Sequence, residues 1–147
     1  MNISDHLEQI KTLIEALPSN PSIKYFSGEL VIEDLKDIKI DGKRPYILLS
    51  CGGGDIPTKD KRVKLEVDAL FGAWVIGKTD PTTHGMSTIA ADTAVEVAKI
   101  IENYRGDIKT NPKLPVLQSI KESFNGQKGN VNFSAWSVIW TQRIILV

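Results

Sequence analysis

One cysteine, two histidines and no surplus of either charge limit the chemistry open to this chain. Cys51 alone cannot form an internal disulfide, so a reducing compartment is expected. His6 and His84 stand far apart, with no HxH, HExxH or CxxC spacing, so no metal site is expected and both read as surface residues. Eighteen Lys and Arg balance eighteen Asp and Glu, which argues against a general nucleic-acid binder, since such proteins carry a basic excess. No apolar run approaches the ~20 residues of a membrane helix. The first seventeen residues, MNISDHLEQIKTLIEAL, lack the basic, apolar and small-residue regions of a signal peptide. A soluble protein made in a cytoplasm is therefore expected. Internal repeats and low-complexity tracts are also missing, and 147 residues suit a single domain spanning 1–147.

Catalytic signatures are equally scarce. Gly52, Gly53 and Gly54 follow a strand-like PYILLSC, but no GKS or GKT comes after them, and Ile56-Pro57 blocks a helix that would lend its dipole to a phosphate. The triplet is expected to be a flexible loop. There is no GxSxG elbow. Cys51 at a strand end reads as a small buried hydrophobe. Glu66 and Asp68 lie on one strand face roughly 7 Å apart, and a wet face beside Lys64 accounts for them more simply than an acid pair. Asp80 and His84 share a loop, with nothing to fix their geometry. A small enzyme using Cys51 or that loop is the least favoured alternative.

What the chain does have is long apolar strands. Val131–Val147, VNFSAWSVIWTQRIILV, places Val131, Phe133, Ala135, Ile139 and Ile145 on one face and Trp136, Val138, Trp140, Ile144 and Leu146 on the other. β-Branched and aromatic residues on both faces predict a strand covered on both sides. Val63–Lys78 is its match. Val63, Leu65, Val67, Ala69, Phe71, Ala73 and Val75 form one apolar face, while the other changes from Lys64, Glu66 and Asp68 to Leu70, Gly72, Trp74 and Ile76. The first half is expected to have one wet face and the second half to be covered twice. Extended, each stretch spans roughly 50 Å, against a ~40 Å diameter for a domain of this size. Either a bulge, for which Gly72 is the candidate, or a hairpin reaching a neighbouring subunit is expected.

The remaining elements are shorter. Ser4 is expected to cap a first helix whose apolar stripe runs Ile3, Leu7, Ile10, Leu13 or Ile14, and Leu17, ending at Pro18. A short strand is expected near Tyr25 within the ambiguous stretch 23–40. Met86–Arg105 predicts a second helix, with Ala90, Ala94, Val97, Ile101 and Tyr104 on one face. Val116–Asn125 is read as the first strand of a hairpin turning at Gly126–Asn130. Trp74, Trp136 and Trp140 have Ser, Val, Ile and Thr neighbours rather than interleaved Lys and Arg, so they read as core or interface and not as base-stacking platforms. Arg143, a charge inside an apolar strand, must lie at an edge or be paired, and Gln142 beside it extends a polar patch.

The succession RPYILLSCGGGD, KLEVDALFGAWVIGK, an alanine-rich helix and the closing AWSVIWTQRIIL, with Trp140-Thr141-Gln142 at its centre, resembles the tail-terminator (tail-completion) family of Mu-like phages and prophages. The resemblance covers about Arg44 to Leu146. The family's usual glycine after the final leucine is absent, and Val147 stands there. The expected fold is α+β: a mixed, mainly antiparallel sheet of long strands with two helices packed on it. The resemblance implies a virion protein, assembled in the cytoplasm of a bacterial host, that forms a homo-oligomeric ring, a hexamer, on the head-proximal end of the tail tube. Its partners would be the tail tube protein and the head connector, with DNA passing through the lumen without specific binding. It implies no catalytic residues and no cofactor. Candidate subunit or partner contacts are Gly52, Gly53, Gly54, Lys61, Lys64, Glu66, Asp68, Gln142 and Arg143. Another neck component of the same particle is the alternative.

Overall fold

The computed structural model describes residues 2–27, 38–40, 44–57, 64–79, 88–104, 113–128 and 131–146. Its backbone is a pair of long strands, β3 (Glu66–Lys78) and β5 (Val131–Ile145). They run antiparallel in unbroken register from Glu66 opposite Ile145 to Lys78 opposite Phe133. On the outside of β5 lies β4 (Val116–Lys128), and on the outside of β3 lies β2 (Tyr46–Asp55), both antiparallel to their neighbours. A short β1 (Ser22–Tyr25) pairs parallel with the first half of β2, giving the order β1-β2-β3-β5-β4. Two helices, α1 (Ile3–Glu15) and α2 (Thr88–Asn103), complete an α+β fold.

Period-2 alternation sorts the sheet into two faces. Val67, Ala69, Phe71, Ala73 and Val75 of β3 face the helices together with Val138, Trp140 and Ile144 of β5 and Ile47 and Leu49 of β2. Ile10 and Ile14 of α1, and Ala90, Ala94, Val97, Ala98 and Ile101 of α2, close this inner core. The alanines let α2 approach the sheet closely. At the centre, the Trp140 ring stacks on Phe71, with centroids 5.6 Å apart and planes inclined by 17°. Opposite register pairing puts these two rings side by side on one face.

The bend expected of such long strands is not at Gly72, whose pairing with Ser50 and Ile139 is continuous. It lies in β2, where the register slips between Cys51 and Gly54. The glycine triplet, expected as a loop, is thus the bulged end of a strand. Gly53 takes φ +86°, a conformation that suits glycine. Gly54 passes so close to β3 that a Cβ would sit 2.0 Å from the Asp68 carbonyl oxygen. Two more slips interrupt β4, between Leu117 and Ser119 and between Glu122 and Phe124. That hairpin also turns later than expected, since Lys128 still pairs with Val131 and residues 126–128 belong to the ladder.

Helix α1 begins two residues earlier than expected. Asn2, not Ser4, is the cap: its side chain accepts from the Asp5 N–H (2.8 Å), while the Asp5 carboxylate accepts from the Asn2 N–H (3.1 Å). This reciprocal box satisfies two otherwise orphaned donors. The apolar stripe runs through Ile14 rather than the exposed Leu13. His6, expected at the surface, is fully buried, because it lies one helical turn before Ile10 on the same stripe. Helix α2 ends at Asn103, short of the expected Arg105, and residues 86, 87 and 105 lie outside the described set. On the outer face, Ile38, Leu48, Ile76, Phe133 and Ala135 form a second cluster joined by Phe26, Tyr46 and Trp74. Among the described residues it covers one end of that face only.

Candidate functional site

The uncovered end of the outer face carries an ion cluster at its margin. Asp68 and Arg143 are directly opposite in the β3–β5 ladder and share a face. The Arg143 guanidinium donates through Nε to Asp68 Oδ1 (2.7 Å) and through Nη2 to Oδ2 (2.8 Å), a two-point fork that holds both side chains in one geometry. Glu66, two residues away on the same face, brings a carboxylate oxygen to 3.8 Å from Arg143 Nε. The fork from Arg143 is the main reason the Asp68 carboxyl lies below its ordinary pKa, and the Asp68 carboxylate in turn raises that of Arg143. The cluster holds one cation against two carboxylates at the sheet's end.

Next to it the face turns apolar and stays open. Leu70 is 45% exposed, although it sits mid-strand between two paired neighbours. Ser50, Gly52, Leu70, Gly72, Trp74 and Ile139 line a shallow depression of about 340 Å³. Gly72 forms its floor: a Cβ there would meet Ser50 Oγ at 3.4 Å and the Trp74 ring at 3.6 Å. On the adjoining edge strand Val116 is 57% exposed. The expectation that β3 is covered on both faces throughout its second half therefore fails at Leu70. Past Leu70, Gly72 is buried, and Trp74 and Ile76 join the second cluster.

The candidate contacts divide cleanly. Glu66, Asp68 and Arg143 come together in the ion cluster, and exposed Lys64 precedes them on the same chain segment. Gly52 lines the depression, and Gly53 and Gly54 form the bulge beside Asp68. Lys61 lies outside the described residues, as do Asp80 and His84. Gln142 does not join Arg143. Adjacent strand residues point to opposite faces, so Gln142 is buried on the inner face, 2% exposed, while Arg143 is outside. Sequence reasoning missed Leu70 and Ile139 as surface groups because apolar residues on a strand read as core by default. The only available signal was the switch from charged to apolar residues along one face of β3.

Burial pushes the Cys51 thiol up, away from the thiolate form a nucleophile needs. Among the described residues no group of three or more His, Cys, Asp and Glu is arranged to hold a metal ion. The face combines an exposed apolar residue, a depression and a charged, hydrogen-bonded margin. Among the described residues no helix is long and apolar enough to cross a membrane. Comparison with models of known protein families gives no match, and comparison with curated protein sequences gives none either.

Proposed function

We propose that this chain is a tail terminator of the Mu-like kind, a virion protein that assembles as a ring on the head-proximal end of a tail tube, stops tube growth and presents a surface to the head connector. The observation that carries the reading is exposed Leu70 and the depression lined by Gly72, Trp74 and Ile139, beside the Asp68–Arg143–Glu66 cluster. Mid-strand apolar residues exposed on a sheet face are what a subunit contact requires. The edges of the sheet are poorly suited to that task. β4 is interrupted by two register slips, and the free half of β2 is bulged, both of which discourage strand addition. The face, rather than an edge, is then the principal contact between copies, with the ion cluster setting its orientation.

The test is assembly with purified tail tube protein. The wild-type chain is expected to form rings, to cap tubes and to limit their length, as seen by electron microscopy and native mass measurement. Leu70→Glu is expected to keep the fold, since the side chain is half exposed, and to lose ring formation. A wild-type chain that remains monomeric at high concentration and neither binds tubes nor limits their length would refute the proposal. Normal tube length combined with headless tails, in particles lacking the protein, would identify a neck adaptor instead.

A further inference from the structure

The inner core contains polar groups that its packing does not satisfy. His6 is fully buried, and neither ring nitrogen has a hydrogen-bond partner. It packs against Phe71 of β3 (centroids 4.9 Å apart) and Tyr104 beyond the end of α2 (5.9 Å). Gln142 of β5, the polar side chain next to it, is 2% exposed, and its amide oxygen and nitrogen are also unpartnered. An imidazole in such a place is held neutral. A proton arriving on it would bring a full charge into a site where, among the described residues, the Gln142 amide is the polar group that helps to hold it.

We propose that α1 is an acid-released clasp: protonation of His6 undocks this helix from the inner face while the sheet and α2 stay folded. Three features direct the response to α1. It has no backbone ladder to the rest of the molecule, whereas β2, β3 and β5 are each bonded on both sides. Its fully buried anchors are His6, Ile10 and Ile14, with half-buried Ile3 and Leu7 packed beside them. Its side-chain hydrogen bonds to other elements, Tyr25 Oη to Glu8 and Tyr104 Oη to Gln9, are exposed. Elements with few anchors and solvent-exposed bonds open first. Undocking would uncover Ile47, Leu49 and Phe71, an apolar surface the resting protein hides.

The groups facing His6 from other elements leave it as the trigger. Tyr104 is neutral throughout the acid range, and burial raises its pKa further. Phe71 and Gln142 do not titrate. On α1 itself Asp5 is tied into the Asn2 cap and Glu8 accepts from Tyr25, both exposed. Burial lowers the His6 pKa from 6.5 to about 4, with Gln142 pulling the other way. The undocked helix then binds more protons than the docked one between those values, so docking is complete above about pH 6.5 and weakens as pH falls toward 4. The opening equilibrium should rise about 30-fold at pH 5 and approach a limit of about 300-fold below pH 4.

Hydrogen exchange of the full chain between pH 7.5 and 4.5, with rates corrected for intrinsic exchange, tests this. Amides of α1 are expected to lose protection along that curve while those of β3 and β5 do not. His6→Phe and His6→Leu are expected to give flat profiles, and Asp5→Asn to keep the wild-type slope. Constant α1 protection down to pH 4.5 overturns the proposal. So does simultaneous loss in α1 and β5, which would be global unfolding, or an unchanged slope in a folded His6 variant. Should neither variant fold, the NMR titration of His6 in the wild type decides: a midpoint near 6.5 overturns the proposal, and one near 4 supports it.

Discussion

Replacing Gly54 by alanine offers a sharp check on the bulge at the end of β2. The added Cβ would lie 2.0 Å from the Asp68 carbonyl oxygen, 2.6 Å from its carbonyl carbon and 2.7 Å from the Ala69 Cα. All three are backbone atoms of β3, so no side chain can rotate away. Relief requires the strands to separate by an ångström or more, which breaks the pairing of Gly54 with Ala69 and Asp55 with Asp68. Forced overpacking costs about 1–3 kcal/mol, and each lost ladder bond about 1 kcal/mol more. The expected loss is therefore about 3–5 kcal/mol, or ~8–15 °C in Tm for a chain of this size. The neighbouring glycines supply the controls. A Cβ on Gly52 meets nothing within 4 Å, so Gly52→Ala should be neutral or stabilise by up to about 1 kcal/mol through the unfolded chain. Gly53 is also unobstructed but has φ +86°, so Gly53→Ala should cost about 1–2 kcal/mol from backbone strain alone. Urea denaturation followed by the fluorescence of Trp74, Trp136 and Trp140 reads all three. If Gly54→Ala were no more damaging than Gly53→Ala, the close approach of β2 to β3 would be wrong.

Trp140→Ala should cost about 3–5 kcal/mol in the isolated subunit, since the ring is fully buried and stacked on Phe71; a loss under ~1 kcal/mol in the same denaturation assay would contradict that burial. Gly72→Ala should leave stability nearly unchanged, because its Cβ meets neighbours at ordinary distances, yet it fills the floor of the depression; weakened ring formation with an unaltered melting curve is the expected pair of results. Arg143→Gln should return the Asp68 pKa toward its ordinary value, measurable by carboxylate NMR. In the wild type the Asp68 contribution is present above the unfolded carboxylate pKa and disappears as pH falls through the lowered folded value, and the variant should lack that acid-side component.

The sequence alone determined the two-faced strands and the two helices that pack on them. Ile47, Val67, Phe71, Val138 and Ile144 could be assigned to the core because period 2 in β-branched and aromatic residues has one low-energy solution, a strand with a buried face. Alanines at 90 and 94 similarly marked the face of α2 that approaches the sheet. Pairing partners were another matter. That Arg143 meets Asp68, and that Gln142 turns away to the core beside His6, depends on the register of β3 against β5. A shift of one residue would reverse every side chain, and the bonds that set it connect positions 75 residues apart. The glycine triplet shows the same limit. Gly-Gly-Gly signals backbone freedom, but only the proximity of β3 turned that freedom into a bulge with no room at Gly54. Exposure of Leu70 was likewise decided in three dimensions, because whether an apolar residue is core or contact depends on whether anything packs over it.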